Sequence, residues 1–435
     1  MLLRQVNRAF EADWRRFLDS GLAEELVGEG LMVGFEDVPG DPGIDDHVLC
    51  VIRPEPIAFI SYPYEWSFGE LKDAALLTLR IQELAMERGM TLRDASAFNV
   101  QFHEGRPVLI DSLSLGVAEP GRPWVAYRQF CEQFLAPLAL MARRDIRLGS
   151  LAATNLDGIP LDLASRLLPR RTLLDPGLAA HLHAHGRAQR GAGDRADLAR
   201  RSRVSATGLR ALVDSLRRTV EALRWEPHGT TWADYAERDG YAEAARASKA
   251  ALVERALGIA GGSVVWDLGA NTGVYARIAA ALGRRVVAFD MDPAAVERAY
   301  RAVRAEGETR ILPLLVDVAA PSPSLGWAGK ERRSLLERAD ADVVMALALV
   351  HHLALGRNVP LPRIVDLLAA LAPWAVVEFV PKEDPMSVVL LSSREDVFPD
   401  YHLDGFRAAL APRFAVESEA RIEDSPRRLF LLRRR

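Results

Sequence analysis

The chain is poor in the residues that most often betray a chemistry on their own. Of its 435 residues only Cys50 and Cys131 are cysteines, and they share no metal-type spacing. That excludes a disulfide framework and a thiolate zinc site, and it suits a reducing cytoplasm. Lysine is nearly as scarce: among 55 basic residues only Lys72, Lys249, Lys330 and Lys382 are lysines. No apolar run approaches the length that crosses a bilayer, and the opening MLLRQVNRAFEADWRR lacks the continuous apolar core of a signal peptide. A membrane partner is therefore not expected. A formal charge of −4 lacks the basic excess of a nucleic-acid binder. The Arg-rich stretches 166–171 and 433–435 read as solvated faces, so nucleic acid is not favoured as a partner. His181, His183 and His185 would share a face in a strand, but their surroundings read as helical, where only His181 and His185 align. No metal site is expected.

What the chain does have is apolar mass, 49% of 435 residues, enough for two or three domains. Spacing predicts a helix over 5–26, two short strands within 47–62 around Arg53-Pro54-Glu55-Pro56, and a helix over 68–88 stopped by Gly89. Two short apolar runs follow, 97–102 and 107–110, joined by a turn at 103–106, and then a helix over 124–144. From 173 to 199 the composition shifts to Ala, Gly, Arg, His and Asp around GRAQRGAGDRAD. The expected division is a mixed α+β domain at 1–172, a linker-like segment at 173–203, and a second domain at 204–435 that opens with leading helices. In the second domain strand and helix alternate: strands near 264–268, 285–290, 310–316, 342–350 and 375–380, then an antiparallel pair at 414–422 and 428–432.

The most informative segment is 264–292, VVWDLGANTGVYARIAAALGRRVVAFDMD, an apolar strand, a glycine turn, an amphipathic helix and a second strand ending on acid. Gly269 and Gly273 let the backbone approach a ligand, Asn271 tolerates a left-handed conformation, and Asp290 would present a carboxylate to a ribose diol. The glycines stand four apart with no third, close-packing glycine, unlike the G-x-G-x-x-G of dinucleotide sites. The segment resembles motif I of the class I S-adenosylmethionine (SAM) methyltransferases. The seven-strand order over 232–435 also resembles theirs: a Rossmann-like, mostly parallel α/β sheet with an antiparallel edge hairpin. A nicotinamide or flavin nucleotide, or a plain βαβ unit, is the alternative.

The resemblance implies that Asp267 and Gly269 flank the methionyl part of SAM, that Asp290 takes the ribose hydroxyls, and that Asp317 lies beside the adenine amino group. Asp292 is a second ribose candidate. Each aspartate could instead cap the helix after its strand. Trp232, Tyr235, Tyr241 and Lys249 precede the first strand at spacings that could cover the cofactor, with Lys249 near its carboxylate, or could pack in the core.

His351 and His352 lie just beyond the fourth strand, where a base for the acceptor would sit; packing or capping is the alternative. The amine-methylation signature Asn/Asp-Pro-Pro-aromatic is replaced by Ala348-Leu349-Val350-His351-His352, and the Pro-Cys nucleophile of cytosine C5 enzymes is missing. Elimination favours an oxygen as the acceptor atom. Past the fifth strand, Lys382 or Asp384 could orient the acceptor or belong to a solvated loop.

A second constellation lies at Arg93-Asp94-Ala95-Ser96-Ala97-Phe98-Asn99, followed after the hairpin by Asp111. Order and spacing resemble the protein-kinase catalytic loop, with Asp94 in the place of the base and Asn99 and Asp111 in the places of metal ligands. No lysine precedes Lys72 and no Gly-rich phosphate loop precedes the strands; Arg53 would replace the missing lysine only poorly. The likeness is thus to a degenerate kinase-like domain. The layout as a whole resembles bacterial methyltransferases of nodulation-protein type. Three functions follow: a SAM-dependent methyltransferase, a bifunctional enzyme with an active phosphotransferase half, and a noncatalytic SAM- or nucleotide-binding scaffold. The acceptor stays open among sugar, peptide, natural product and RNA, and the sequence fixes no oligomeric state.

Overall fold

The computed structural model describes residues 2–190, 203–228, 243–392 and 396–435. The chain divides into two compact units, Met1–Glu226 and Pro227–Arg435. The units part at 226/227, beyond the segment 173–203 where a linker was expected. The amphipathic helix Ala206–Ala222 buries Val213, Leu216 and Val220 and packs on the helix Phe68–Glu87 of the first unit. Lys72 Nζ donates to the carbonyls of Glu221 (2.9 Å) and Leu223 (2.8 Å), tying the two helices together. Residues 173–190 are also folded into this unit. The turn Ala179–Ala184 buries His181 and His183, each hydrogen bonded at both ring nitrogens: His181 to Tyr127 and Ser215, His183 to Ser165 and Thr172. Residues 191–202, the rest of the expected linker, lie outside the described residues, as do Trp232, Tyr235 and Tyr241.

In the first unit, β1 (Arg4–Asn7), β2 (Phe35–Asp37) and β3 (Val48–Pro54) form an antiparallel sheet in the order β1-β3-β2. The expected helix over 5–26 is therefore corrected at its start. Gln5 and Val6 pair with Val51 and Cys50, and the helices are Glu11–Asp19 and Leu22–Gly28. A single strand also replaces the two expected within 47–62, with none after Pro54. The helix Phe68–Glu87 starts at a capping box in which Ser67 Oγ accepts from the Glu70 amide and Glu70 Oε2 accepts from the Ser67 amide. Beyond it β4 (Met90–Leu92) pairs with β7 (Leu115–Val117), and β5 (Val100–His103) forms a hairpin with β6 (Arg106–Leu109).

The second unit is built on one sheet: β8 (Val264–Leu268), β9 (Arg285–Asp290), β10 (Ile311–Leu315), β11 (Val343–Ala346), β12 (Trp374–Phe379), β13 (Phe414–Arg421) and β14 (Arg428–Arg434). Their order is β10-β9-β8-β11-β12-β14-β13, parallel except for β14, which runs antiparallel to both neighbours. The β11 run Val-Val-Met-Ala is buried throughout, because helices cover both faces of a parallel sheet. On one face Val265, Val286, Met345 and Val376 pack with Val253 and Leu257 of the helix Glu243–Ala260 and Ala276, Ala279 and Ala280 of the helix Val274–Ala281. The alternate residues fill the other face, where Trp266 meets Phe289 edge-on and Phe406 stacks on Phe379.

Candidate active site

The parallel strands all end on one rim, and the turn after β8 shapes it. Gly269, Asn271 and Gly273 each adopt positive φ (72°, 51° and 79°), as expected for a turn that bares its backbone. A Cβ at Gly269 would stand 3.2 Å from Leu349, so the close approach also needs glycine. Gly273 is the N-terminal cap of the helix Val274–Ala281. From the next strand, Asp290 Oδ2 accepts from the Asn271 amide and Oδ1 from the Asp292 amide, both at 2.8 Å. This links the ends of β8 and β9 and leaves each oxygen lone pairs for further donors.

A cavity of about 340 Å³ opens on this rim, lined among others by Gly269, Asn271, Asp290, Asp317, Leu349 and His352. Its size and mostly apolar wall suit a small molecule held by a few convergent polar groups. Burial pushes the Asp290 carboxyl up to about 6 against the pull of the Asp292 and Asn271 amides. Asp267, at the end of β8, is 2% exposed, and its Oδ2 has no hydrogen-bond partner. Burial pushes its carboxyl up to about 7, with Lys249 pulling it down and Asp290 pushing it up. A buried acceptor without a donor is costly to leave so, and a cationic donor would relieve it.

The other expected residues divide. Asp317 lines the cavity, with Oδ1 accepting from the Ala319 amide (2.9 Å). Asp292 caps the helix Pro293–Glu306 through Oδ1, which accepts from the amides of Ala294 and Ala295. Lys249 is buried, its Nζ 2.7 Å from Glu378 and 4.2 Å above the Tyr275 ring. His351 is fully buried with both ring nitrogens unpartnered, and burial holds it well below the usual imidazole value. His352 packs tilted against it, ring centroids 4.0 Å apart, and reaches the cavity, with its imidazole pushed down to about 4 by burial and then by Arg427. Neither Lys382 nor Asp384 faces the cavity. Lys382 binds Asp396 and the Phe398 carbonyl, whereas Asp384 is buried, caps the helix Pro385–Leu391 and takes a bidentate pair from Arg427 (2.6 and 3.0 Å).

Sequence reasoning missed Arg427, which with Lys249, Glu378 and Asp384 forms a buried ion network behind the rim. It also missed Arg357, whose Nη2 donates to Asp317 Oδ2 (2.9 Å) at the cavity wall. Both join positions about 40 or more residues apart, so no local spacing announces them.

In the first unit the second constellation is closed upon itself. Asp94 Oδ1 accepts from Gln129 Nε2 (2.7 Å) and the Ser96 amide (3.0 Å). Asp111 Oδ1 accepts from Arg4 Nη1 (2.6 Å) and the Leu113 amide (3.3 Å). The Asn99 carbonyl receives the Ile110 amide, and its side-chain Nδ2 is buried without a partner. Among the described residues no group of three or more His, Cys, Asp or Glu side chains could hold a metal ion, and no helix is long and apolar enough to cross a membrane.

The strand order of the second unit is third-second-first-fourth-fifth-seventh-sixth, with acids at the first three strand ends, the order expected from its resemblance to the class I SAM-dependent methyltransferases. The chain belongs to the family of the nodulation protein NoeA: it is 36% identical over 421 residues to NoeA of Rhizobium meliloti (strain 1021), covering 94% of this chain and 88% of that one. No protein-family model matches the chain. Solved structures similar to it include the magnesium protoporphyrin IX methyltransferase ChlM of Synechocystis PCC 6803 with bound SAH (18% identity, 47% of this chain, 95% of that chain, TM-score 0.35). The N-methyltransferase NodS of Bradyrhizobium japonicum WM9 is 11% identical over 44% of this chain and 97% of its own, with a TM-score of 0.33. The bifunctional kinase-methyltransferase WbdD is 14% identical over 49% of this chain and 45% of its own, with a TM-score of 0.33.

Proposed function

We propose that the second unit binds SAM and transfers its methyl group to an oxygen of a small-molecule or peptide acceptor. The observation that carries this reading is the buried Asp267 with its unpartnered Oδ2, two residues before the bare Gly269 backbone of a cavity that Asp290 and Asp317 also line. Asp267 suits the cofactor's ammonium, Asp290 its ribose hydroxyls and Asp317 its adenine amino group. Bound there, SAM supplies an electrophilic methyl group on a sulfonium. His352 then has one task, to accept the acceptor's hydroxyl proton at a ring nitrogen. Its lowered value, about 4, keeps the ring neutral at pH 7 with a lone pair that can take the proton, and makes it a weaker base than an ordinary imidazole. The new imidazolium arises in the cavity that loses the sulfonium charge, so charge is relocated rather than created there. Packed beneath it, His351 fixes the ring orientation.

For the first unit we favour a degenerate kinase-like domain that positions the acceptor and transfers no phosphoryl group. Arg4 already neutralises Asp111, and Gln129 already holds Asp94. Both groups therefore serve as struts of their loop.

The test is transfer of labelled methyl from SAM to small molecules and peptides of a bacterial extract. The reading expects a labelled ether product that His352→Ala nearly abolishes. Label recovered only on nitrogen, with His352→Ala fully active, would contradict the assignment of acceptor and base.

A further inference from the structure

Arg357 stands at the end of the π-helical turn His352–Gly356, and its backbone is fixed by its surroundings. Its amide donates to the Leu353 carbonyl, Asn358 after it is left-handed (φ 59°), and the Val359 amide returns to the same carbonyl at 3.0 Å. From that fixed point the side chain reaches the ends of two other strands. Nη2 donates to Asp317 Oδ2 at 2.9 Å, beyond β10, and lies 3.9 Å from Met291 Sδ, beyond β9. All three residues line the cavity.

As a stabilising contact this pair is worth little, because Arg357 is 49% and Asp317 29% exposed and water screens them. Its value lies in where it holds the guanidinium. Hydrogen bonds to a guanidinium are made in its plane, so the contacts of Nη2 to Asp317 and Met291 do not themselves occupy its faces, and the half-exposed side chain can present a face to a flat ring in the cavity.

We propose that Arg357 is a positioning residue for the cofactor, and that its guanidinium, aligned by Asp317, forms one face of a clamp on the adenine ring. This rests on the SAM reading of the site. One carboxylate would then do two things: hold the arginine flat with Oδ2 and receive the adenine amino group on its remaining lone pairs.

The test is calorimetric binding of S-adenosylhomocysteine and of 5′-methylthioadenosine, which has the base and ribose but no amino-acid tail. Arg357→Ala should weaken both ligands by about tenfold. Arg357→Lys keeps a charge for Asp317 but has no plane, and should be as weak as the alanine variant. Arg357→Phe keeps a plane without charge and should recover most of the affinity. Rescue by lysine but not by phenylalanine would overturn the stacking role, as would unchanged binding in Arg357→Ala. Failure of the unaltered protein to bind either ligand would instead sink the SAM reading on which the clamp depends.

Discussion

Both units carry aspartates at loop positions that look chemical in the sequence, yet the fold treats them in opposite ways. In the first unit Asp94 and Asp111 are engaged by Gln129, Arg4 and loop amides. In the second, Asp267 keeps a buried oxygen without a partner and Asp290 stands in a cavity wall, with carboxyls raised to about 7 and about 6. An acidic motif is thus better judged by how deeply its carboxyls are desolvated than by its spacing. A desolvated carboxyl with an unmet oxygen, as at Asp267, is stored affinity for a donating ligand, whereas the partly exposed carboxyls of Asp94 and Asp111, tied to neighbouring groups, are architecture.

The contrast can be broken at several points. The largest effect is expected at His352: once an acceptor is known, His352→Ala should keep cofactor affinity and lose roughly 10²–10⁴ in turnover. Comparable turnover in single-turnover assays would remove it from the mechanism. Next comes the ion network behind the rim. Arg427→Ala leaves Glu378 and Asp384 buried without their guanidinium and should cost about 3–5 kcal/mol in urea unfolding. A loss below about 1 kcal/mol would show that the network is not desolvated.

Asp267 and Asp290 should give a pH signature of comparable but smaller size. Their values are raised in the folded protein, so the stability they contribute is full below the unfolded value of 3.8 and is lost as pH rises through about 6 to 7. Asp267→Asn should therefore stabilise the ligand-free protein at pH 8, on the order of 2 kcal/mol, and change it little at pH 4. The same variant should weaken cofactor binding. Destabilisation at pH 8 in thermal melts would contradict the assigned cause. The smallest effect belongs to the first unit: Asp94→Asn should lower the melting temperature by a few degrees at most and leave methyl transfer intact. Mg²⁺-dependent ATP turnover abolished by Asp111→Ala would reverse the comparison and make this half an enzyme too.

Where local pattern decided structure, the sequence was readable. The helix Phe68–Glu87 falls where apolar spacing placed it, and the glycine turn after β8 has the positive φ values its residues invite. Where a distant partner decided, it was not. Arg4–Asn7 reads as the start of a helix because its strand exists only by pairing with Val48–Pro54. The helix Ala206–Ala222 joins the first unit through Lys72 and the Phe68–Glu87 surface, and nothing in its own residues names that partner. In the site, the acids at the strand ends were legible one by one. That Asp292 caps a helix, that His351 is sealed beneath His352 and that Arg357 reaches Asp317 are facts of packing.

The most direct measurement is calorimetric titration of the whole chain with S-adenosylhomocysteine in buffers of differing ionisation enthalpy at pH 6.5. Saturable binding with net proton release is expected, because the ligand's ammonium beside Asp267 and its ribose hydroxyls donating to Asp290 favour the ionised carboxylates and lower their raised values. Asp290→Ala should weaken that binding by about 2–3 kcal/mol, the worth of charge-assisted ribose contacts. Saturable binding of NADH with none of S-adenosylhomocysteine or SAM would contradict the account.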